Sequence, residues 1–402
     1  MIHADVAIVG AGPAGLATAI RLGQLGARRF IIVDRQNFPR DKTCGSAITP
    51  AGILVLKNLG VYEAIAAQAH HVRKLRFKFL HSRQINLQSE LLVCPRRVLD
   101  QLLLERAQEV GGIFVPNFRV SHLLLRGDRV CGIRSADGRE IHARQTVVAN
   151  GVHSTFAMEQ GRRRIIRTIM GWWETDQAEC DYLEFVFDRM LRPYYGWHFP
   201  EGPMRVNIGI CYEDRNDRKN ARNLFSSFLK RHYPDVLISG RQVGSYKGQP
   251  ISYSFRTGSL TSPGRIVVGE AGSVVDPASG EGIYQALCSG VLAGQALHEI
   301  LASRGRSSYT LKQYETACRK TFDQSFRLGQ LIRHFVGHGG LDVLPKVIPN
   351  YLLGGLCKGL NNFHPSLRPR GTLSVFSPAP DRAIDAGESS DATTYLGQHH
   401  IA

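Results

Sequence analysis

With 402 residues and 43% hydrophobic side chains, the chain is too long for one ordinary core and too apolar to be disordered throughout. The 50 Lys and Arg against 34 Asp and Glu leave a net charge of +16, which admits nucleic acid, an anionic membrane or an anionic small molecule as partner. The cations are spread out except at Arg162, Arg163, Arg164 and Arg167, and no helix-turn-helix, zinc-finger or RNP pattern occurs, which argues against nucleic acid.

The eight cysteines, at 44, 94, 131, 180, 211, 288, 318 and 357, form no CxxC pair. That removes a zinc ribbon and a disulfide scaffold and fits a reducing cytosol. Cys131, Cys211 and Cys288 lie in apolar segments and read as small core residues. The first apolar run, near Ala4, already reads as a strand rather than a signal peptide. No apolar run is long enough to span a bilayer, so the expectation is a cytoplasmic protein that at most rests on a membrane surface.

Ala4 to Val9 reads as a buried parallel strand that runs into Gly10-Ala11-Gly12-Pro13-Ala14-Gly15. A helix follows, with Leu16, Ala19, Ile20 and Leu25 on its apolar side and Gly26 ending it. Phe30 to Val33 then forms a second strand leading to Asp34 and Arg35. Gly10 permits the tight turn, Gly12 lets the backbone approach a pyrophosphate, and Gly15 lets helix and strand pack closely. The helix N-terminus offers free N–H groups to phosphates, and Asp34 sits where an acid accepts ribose hydroxyls. A glycine pattern alone is weak; the ordered set of strand, glycines, helix, strand and acid predicts dinucleotide binding, with NAD and FAD both fitting.

Further along, Thr49-Pro50 caps a helix that ends by Gly60, and Arg96 to Asp100 opens one that ends at Gly111-Gly112. Val147 to Ala149 ends a strand before Asn150-Gly151. Residues 161–254 are rich in aromatics and alternation. Met204, Val206, Ile208 and Ile210 alternate with Arg205, Asn207 and Gly209, which predicts a half-buried strand. Tyr182 to Phe187 is another strand, and Asp217 to Tyr233 a surface helix. Arg265 to Val268 is a strand, and Gly280 to Ile283 starts a helix running to about Leu301. Residues 326–364 read as amphipathic helices broken around Gly337 to Gly340 and at Pro345 and Pro349; they would cover a tunnel or lie on a membrane. From Arg368 the composition predicts a disordered tail.

Most of residues 1–300 resembles the flavoprotein family of aromatic hydroxylases, flavin halogenases and geranylgeranyl reductases. Pro39 to Ser46 resembles the reductase branch, whose Cys-Gly pair, here Cys44-Gly45, lies near the isoalloxazine ring. Arg96 matches an arginine that reaches the flavin side of the cofactor. Val147 to Ser154 is similar to the family's Ala-Asp-Gly-x-x-Ser, with Asn150 in place of Asp, so the position bonds without charge. Gly269-Glu270-Ala271-Gly272 resembles a Gly-Asp motif whose acid holds the ribityl chain, with Glu270 one methylene longer. The helix start at Gly282 and Ile283 would face the flavin pyrimidine. Tyr194 to Pro200, followed by Asn207-Ile208-Gly209, resembles the reductases' Tyr-x-Trp-x-Phe-Pro and Asn-Val-Gly. Tyr195 and Phe199 stand where halogenases carry Trp and Ile.

The resemblance implies an α/β fold: a Rossmann-like FAD-binding domain (1–70, 95–160 and 255–325) with an inserted β-rich substrate domain (71–94 and 161–254). A helical segment (326–367) and the tail (368–402) follow. It implies FAD, held through Gly10, Gly12, Ala14, Gly15, Asp34, Arg35, Cys44, Gly45, Arg96, Asn150, Gly151, Glu270, Gly282 and Ile283. It also implies reduction of carbon–carbon double bonds in a polyprenyl lipid or isoprenoid. Trp197 would stabilise developing positive charge, with Tyr195, Cys44 or His198 as proton donor; a structural role is the alternative for His198. Arg162 to Arg164 and Arg167 are candidates for a phosphate head group. The rival readings are an oxygen-using monooxygenase, a non-catalytic prenyl-binding module and a halogenase. No second glycine unit for NADPH is evident, which leaves NADPH, ferredoxin and a quinol open as electron donor.

Overall fold

The computed structural model describes residues 2–342 except 80–82, 158–163, 177–180, 215–219, 255–256 and 303–306. The chain begins with β1 (Ile2–Val9), α1 (Pro13–Gln24), β2 (Phe30–Val33), β3 (Ala47–Ile48), α2 (Pro50–Asn58), α3 (Tyr62–Ala66), β4 (His70–Lys78) and β5 (Gln84–Val93). Next come α4 (Arg96–Glu109), β6 (Ile113–Val115), β7 (Val120–Arg126), β8 (Arg129–Ser135), β9 (Glu140–Val148), β10 (Arg164–Glu174), β11 (Tyr182–Val186), β12 (Gly196–Gly202) and β13 (Arg205–Tyr212). The remainder is α5 (Ala221–His232), α6 (Pro234–Ser239), β14 (Arg241–Gly248), β15 (Ile251–Tyr253), β16 (Thr261–Ser262), β17 (Arg265–Val267), α7 (Ile283–Ala302) and α8 (Ser307–Gly337).

These elements form an α/β fold of two sheets. The eight-stranded sheet runs β16-β17-β9-β1-β2-β6, with β8 on β9 and β7 on β8. Strands β17, β9, β1, β2 and β6 are parallel, and β1 is buried from Val6 to Val9, as a strand covered on both faces must be. α1 starts with Gly12 as N-cap and Pro13 in its first turn, and Gly26, at φ +86°, follows its end. α7 lies directly on α1, because Gly290 and Gly294 give it a face without side chains: a Cβ on Gly290 would stand 2.3 Å from the Ala14 carbonyl oxygen.

The nine-stranded sheet runs β14-β10-β13-β12-β11-β4-β5-β3, with β15 on β10. It is antiparallel except where β11 meets β4. Ala47–Ile48, early in the chain, thus pairs with β5 in this second sheet. Its outer face carries α5, whose Phe225 and Phe228 pack with Val206, Ile208 and Ile210. α5 begins at Ala221, where the Asn220 side chain accepts from the N–H groups of Arg222 and Asn223 and sets the start; Asp217 lies outside the described residues.

Two expectations are corrected. β13 is buried on both faces, Asn207 and Gly209 included, since its inner face meets the cavity wall and its outer face meets α5. Met204 does not join the buried stripe: it is 55% exposed in the turn before β13. The expected break around Gly337 to Gly340 is present: α8 runs unbroken to Gly337, and Gly339 takes φ +85°. Cys211 and Cys288 are buried, whereas Cys131 is half-buried. Residues 343–402 lie outside the described part, and so do Arg162 and Arg163.

Candidate functional site

A cavity of about 540 Å³ runs from the glycine loop to the inner face of the second sheet. At the loop, the backbone explains the glycines. Gly10 takes φ +109°, and a Cβ there would lie 2.5 Å from the Ala149 carbonyl oxygen. At Gly15 a Cβ would lie 2.0 Å from the Gly10 carbonyl oxygen, so this residue holds α1 against the turn and does not itself line the cavity. Gly12 is different: its nearest neighbour would be the Arg96 guanidinium at 3.8 Å, so its backbone stands open to a ligand. α1 has no side-chain cap and no acid in its first turn, which leaves its N-terminal N–H groups for an anion. Asp34 receives the Ala11 N–H at 2.9 Å and the Gln36 N–H at 3.0 Å, and Arg35 lines the cavity beside it.

Cations gather next to this loop. Arg96 clamps Asp100 through Nε at 2.8 Å and Nη2 at 2.7 Å, and Arg40 reaches the same carboxylate at 3.2 Å. Burial alone would lower the Arg96 pKa, but the Asp100 carboxylate outweighs it and raises it, so Arg96 is permanently charged. Burial lowers the Lys42 pKa, which the facing Glu270 partly opposes. Burial likewise raises the Glu270 pKa against Lys42. Glu270 sits on a short 3-10 turn, Gly269–Gly272, and its Oε1 accepts the Ser252 N–H at 3.1 Å. Asn150 presents a buried Oδ1 with no hydrogen-bond donor among the described residues. A glycine cradle open at Gly12, a cluster of three cations and an orphaned acceptor suit a dinucleotide diphosphate and its polar linker.

The far half of the cavity is apolar and aromatic. β12 presents Trp197 and Phe199 to it, Tyr195 stands just before that strand, and Phe185, Met170 and Cys211 come from the neighbouring strands. The Trp197 indole donates to Asn207 Oδ1 at 2.6 Å. Its ring lies over Gly209, where a Cβ would stand 2.2 Å from Cζ2. Cys44 and Gly45 bring the cation loop to this wall: Cys44 Sγ accepts the Ser46 N–H at 3.3 Å, and a Cβ on Gly45 would touch Phe199 at 3.2 Å. Gly151, Gly282 and Ile283 also line the cavity, the last two at the start of α7.

The structure separates the three expected proton donors. Tyr195 donates its hydroxyl to the Ser279 carbonyl, and burial pushes its phenol well above the ordinary value, so it anchors a loop. His198 points to the other face of the sheet, stacked between Tyr182 and Tyr233. Only Cys44 remains on the cavity without such an anchor. Arg164 and Arg167 are exposed on β10 and do not line the cavity. Sequence reasoning missed Arg40, Lys42 and Glu281 as site groups. Arg40 and Lys42 flank Asp41 just before the Cys-Gly pair, a basic cluster that could have flagged them. Glu281 lies among glycines, and nothing in that context announces a buried acid.

One consequence is testable at Gly209. Alanine there should push the Trp197 ring into the cavity, because Met170 Cβ, 2.7 Å away, closes the alternative. G209A is expected to keep bound flavin yet lose about 100-fold in turnover, the scale of a misplacement of roughly 1 Å. Flavin absorbance and steady-state rates check both halves.

A family model described as FAD binding domain matches residues 3–327. Menaquinone reductase of Mycobacterium tuberculosis is 30% identical over 320 residues, covering 73% of this chain and 76% of that protein. Digeranylgeranylglycerophospholipid reductase of Thermoplasma acidophilum is 24% identical over 363 residues, covering 86% and 90%. Among solved structures, a geranylgeranyl bacteriochlorophyll reductase-like protein of Thermoplasma acidophilum superposes with a TM-score of 0.78 at 20% identity, over 95% of this chain and 98% of that one. The chain therefore belongs to the FAD-binding family of flavoproteins and is an FAD-dependent oxidoreductase of the geranylgeranyl reductase and menaquinone reductase type.

Proposed function

We propose that the chain reduces carbon–carbon double bonds in a polyprenyl chain. The observation that carries this reading is the continuity of the cavity: one space joins the dinucleotide cradle to an apolar aromatic wall. Two relatives are named for menaquinone and for a digeranylgeranyl lipid, and both of those molecules carry polyprenyl chains.

Reduced FAD, when bound, supplies a hydride. The protein's part is to place the alkene and manage charge. Gly10, Gly12, Ala14 and the α1 N-terminus would bind the diphosphate, with Gly15 keeping helix and turn together and Arg40 and Lys42 adding positive charge. Asp34 and Arg35 would take the ribose, and Asn150, Gly151 and Glu270 the linker. Arg96, Cys44, Gly45 and the α7 start at Gly282 and Ile283 would surround the ring, the helix end favouring negative charge there. An unactivated trisubstituted alkene develops positive charge at its more substituted carbon, and the Trp197 face, fixed by Asn207, is placed to stabilise it. Phe185, Phe199 and Met170 would exclude water from that carbon. Tyr195 contributes by fixing the loop at Ser279 to this wall.

Among the described residues, no helix is long and apolar enough to cross a membrane. A bilayer-resident substrate would instead be met at the surface, for which Leu328, Leu331 and Phe335 form an exposed strip on α8.

The test is anaerobic. Purified protein reduced with dithionite and offered geranylgeranyl lipids or prenylquinones should be reoxidised as the product gains two hydrogens per bond. Reoxidation that needs dioxygen, with oxygen appearing in the product, would support a monooxygenase instead.

A further inference from the structure

The loop between β17 and α7 carries two buried acids with different surroundings. Asp276 is held by its own turn: its Oδ1 accepts the N–H groups of Ala278 and Ser279 at 3.0 and 2.8 Å and the Ser279 hydroxyl at 2.9 Å. It shapes the turn and does not line the cavity. Glu281, five residues on, does line the cavity, between the start of α2 and the start of α7. No cation pairs with it among the described residues. Its Oε1 accepts the Thr49 hydroxyl at 2.6 Å. That hydroxyl is itself oriented, because Thr49 Oγ1 caps α2 by accepting the Gly52 N–H at 3.3 Å. Gln285, near the start of α7, hydrogen-bonds the Glu281 carboxyl as well. The groups facing it are Thr49 from the α2 start, Gln285 from α7, Asp276 from its own loop and Tyr195 from the wall. None of these is a cation.

We infer that Glu281 is the acid that gives the proton to the alkene, an inference that rests on the prenyl-reduction reading. The step balances. The π bond breaks and two C–H bonds form. The hydride brings both electrons from the reduced flavin, and the proton comes from the Glu281 carboxyl. Glu281 is left as a carboxylate and recovers a solvent proton before the next turnover. Burial, aided by repulsion from Asp276 and opposed by the Thr49 and Gln285 bonds, pushes its pKa up to about 8. The acid is thus largely protonated at neutral pH, which suits a proton donor.

The test compares wild type, E281Q and E281D as FAD-loaded proteins. E281Q keeps the shape and the Thr49 bond, so bound flavin should stay within about threefold of wild type. Substrate-driven flavin reoxidation in E281Q should fall by about 10² to 10⁴-fold, the usual worth of a positioned acid. In wild type this rate should hold below about pH 8 and decline above it, as the acid ionises; E281Q should lose that decline. E281D should regain part of the rate and keep the decline. Infrared spectra of the protein without substrate should show a protonated-carboxyl band at pH 7 that vanishes in E281Q. The inference is overturned if E281Q reoxidises within threefold of wild type, or if that band is absent. If wild type is reoxidised by no prenyl substrate, the reductase reading fails and takes this step with it, even where the band is present.

Discussion

Gly15→Ala should strip the protein of FAD and destabilise it by about 3 kcal/mol or more, at the upper end of what overpacking costs. An alanine methyl would sit 2.0 Å from the Gly10 carbonyl oxygen and 3.2 Å from Ala149 Cβ, against a backbone carbonyl and a methyl group that cannot rotate away. α1 must therefore back off from the turn. That move displaces the helix N-terminus on which the diphosphate depends. Gly26→Ala is the contrast. It also replaces a glycine of the same unit, at φ +86°, but nothing lies within 4 Å of the new methyl. Its cost should stay near 1 kcal/mol, the price of a left-handed backbone, with flavin retained. Thermal melts and the flavin-to-protein absorbance ratio separate the two. A G15A protein with full flavin and an unchanged melt would show that the close packing is dispensable.

The second large effect is expected at Asp100, in the second turn of α4. Its side chain is fully buried, and it is shared by two guanidiniums whose side chains are each 9% exposed, Arg40 and Arg96. Asp100→Ala leaves the Arg96 charge buried without its anion and Arg40 with only Asp34, 3.8 Å away, which should cost about 3–5 kcal/mol. Asp100→Asn keeps the shape and some hydrogen bonding and should cost less. Because both arginines line the cavity, saturating FAD should recover part of the loss. Urea titrations with and without FAD measure all of this. A D100A protein as stable as wild type would mean that solvent already reaches the pair.

The part of the fold legible from the sequence is the part whose constraints are local. The β1–glycine–α1–β2 unit could be read because each glycine answers a requirement set within a few residues, or by the backbone next to it. Asn150-Gly151, Gly269 to Gly272 and Gly280 to Ile283 stood out through the family resemblance, and each lies at a strand or helix end. The alternation in β12 and β13 marked strands, but it could not say how deeply they lie. Asn207 and Gly209 looked like the wet side of a half-buried strand; they are buried because Trp197 lies over Gly209 and bonds Asn207 on the cavity side, while α5 covers the other face.

The chemistry of individual groups was decided only by the tertiary structure. His198 and Trp197 are neighbours in sequence, yet one sits behind the sheet and the other over Gly209, since successive strand residues face opposite ways. Tyr195 was expected as a donor, and a carbonyl from residue 279, far along the chain, takes its hydroxyl. Arg40 gained its role from Asp100, and Glu281 its protonation from burial beside Thr49; both partners are distant in sequence. Backbone turns are written in short stretches of residues, whereas desolvation and charge pairing depend on whatever the folded chain brings within a few ångströms.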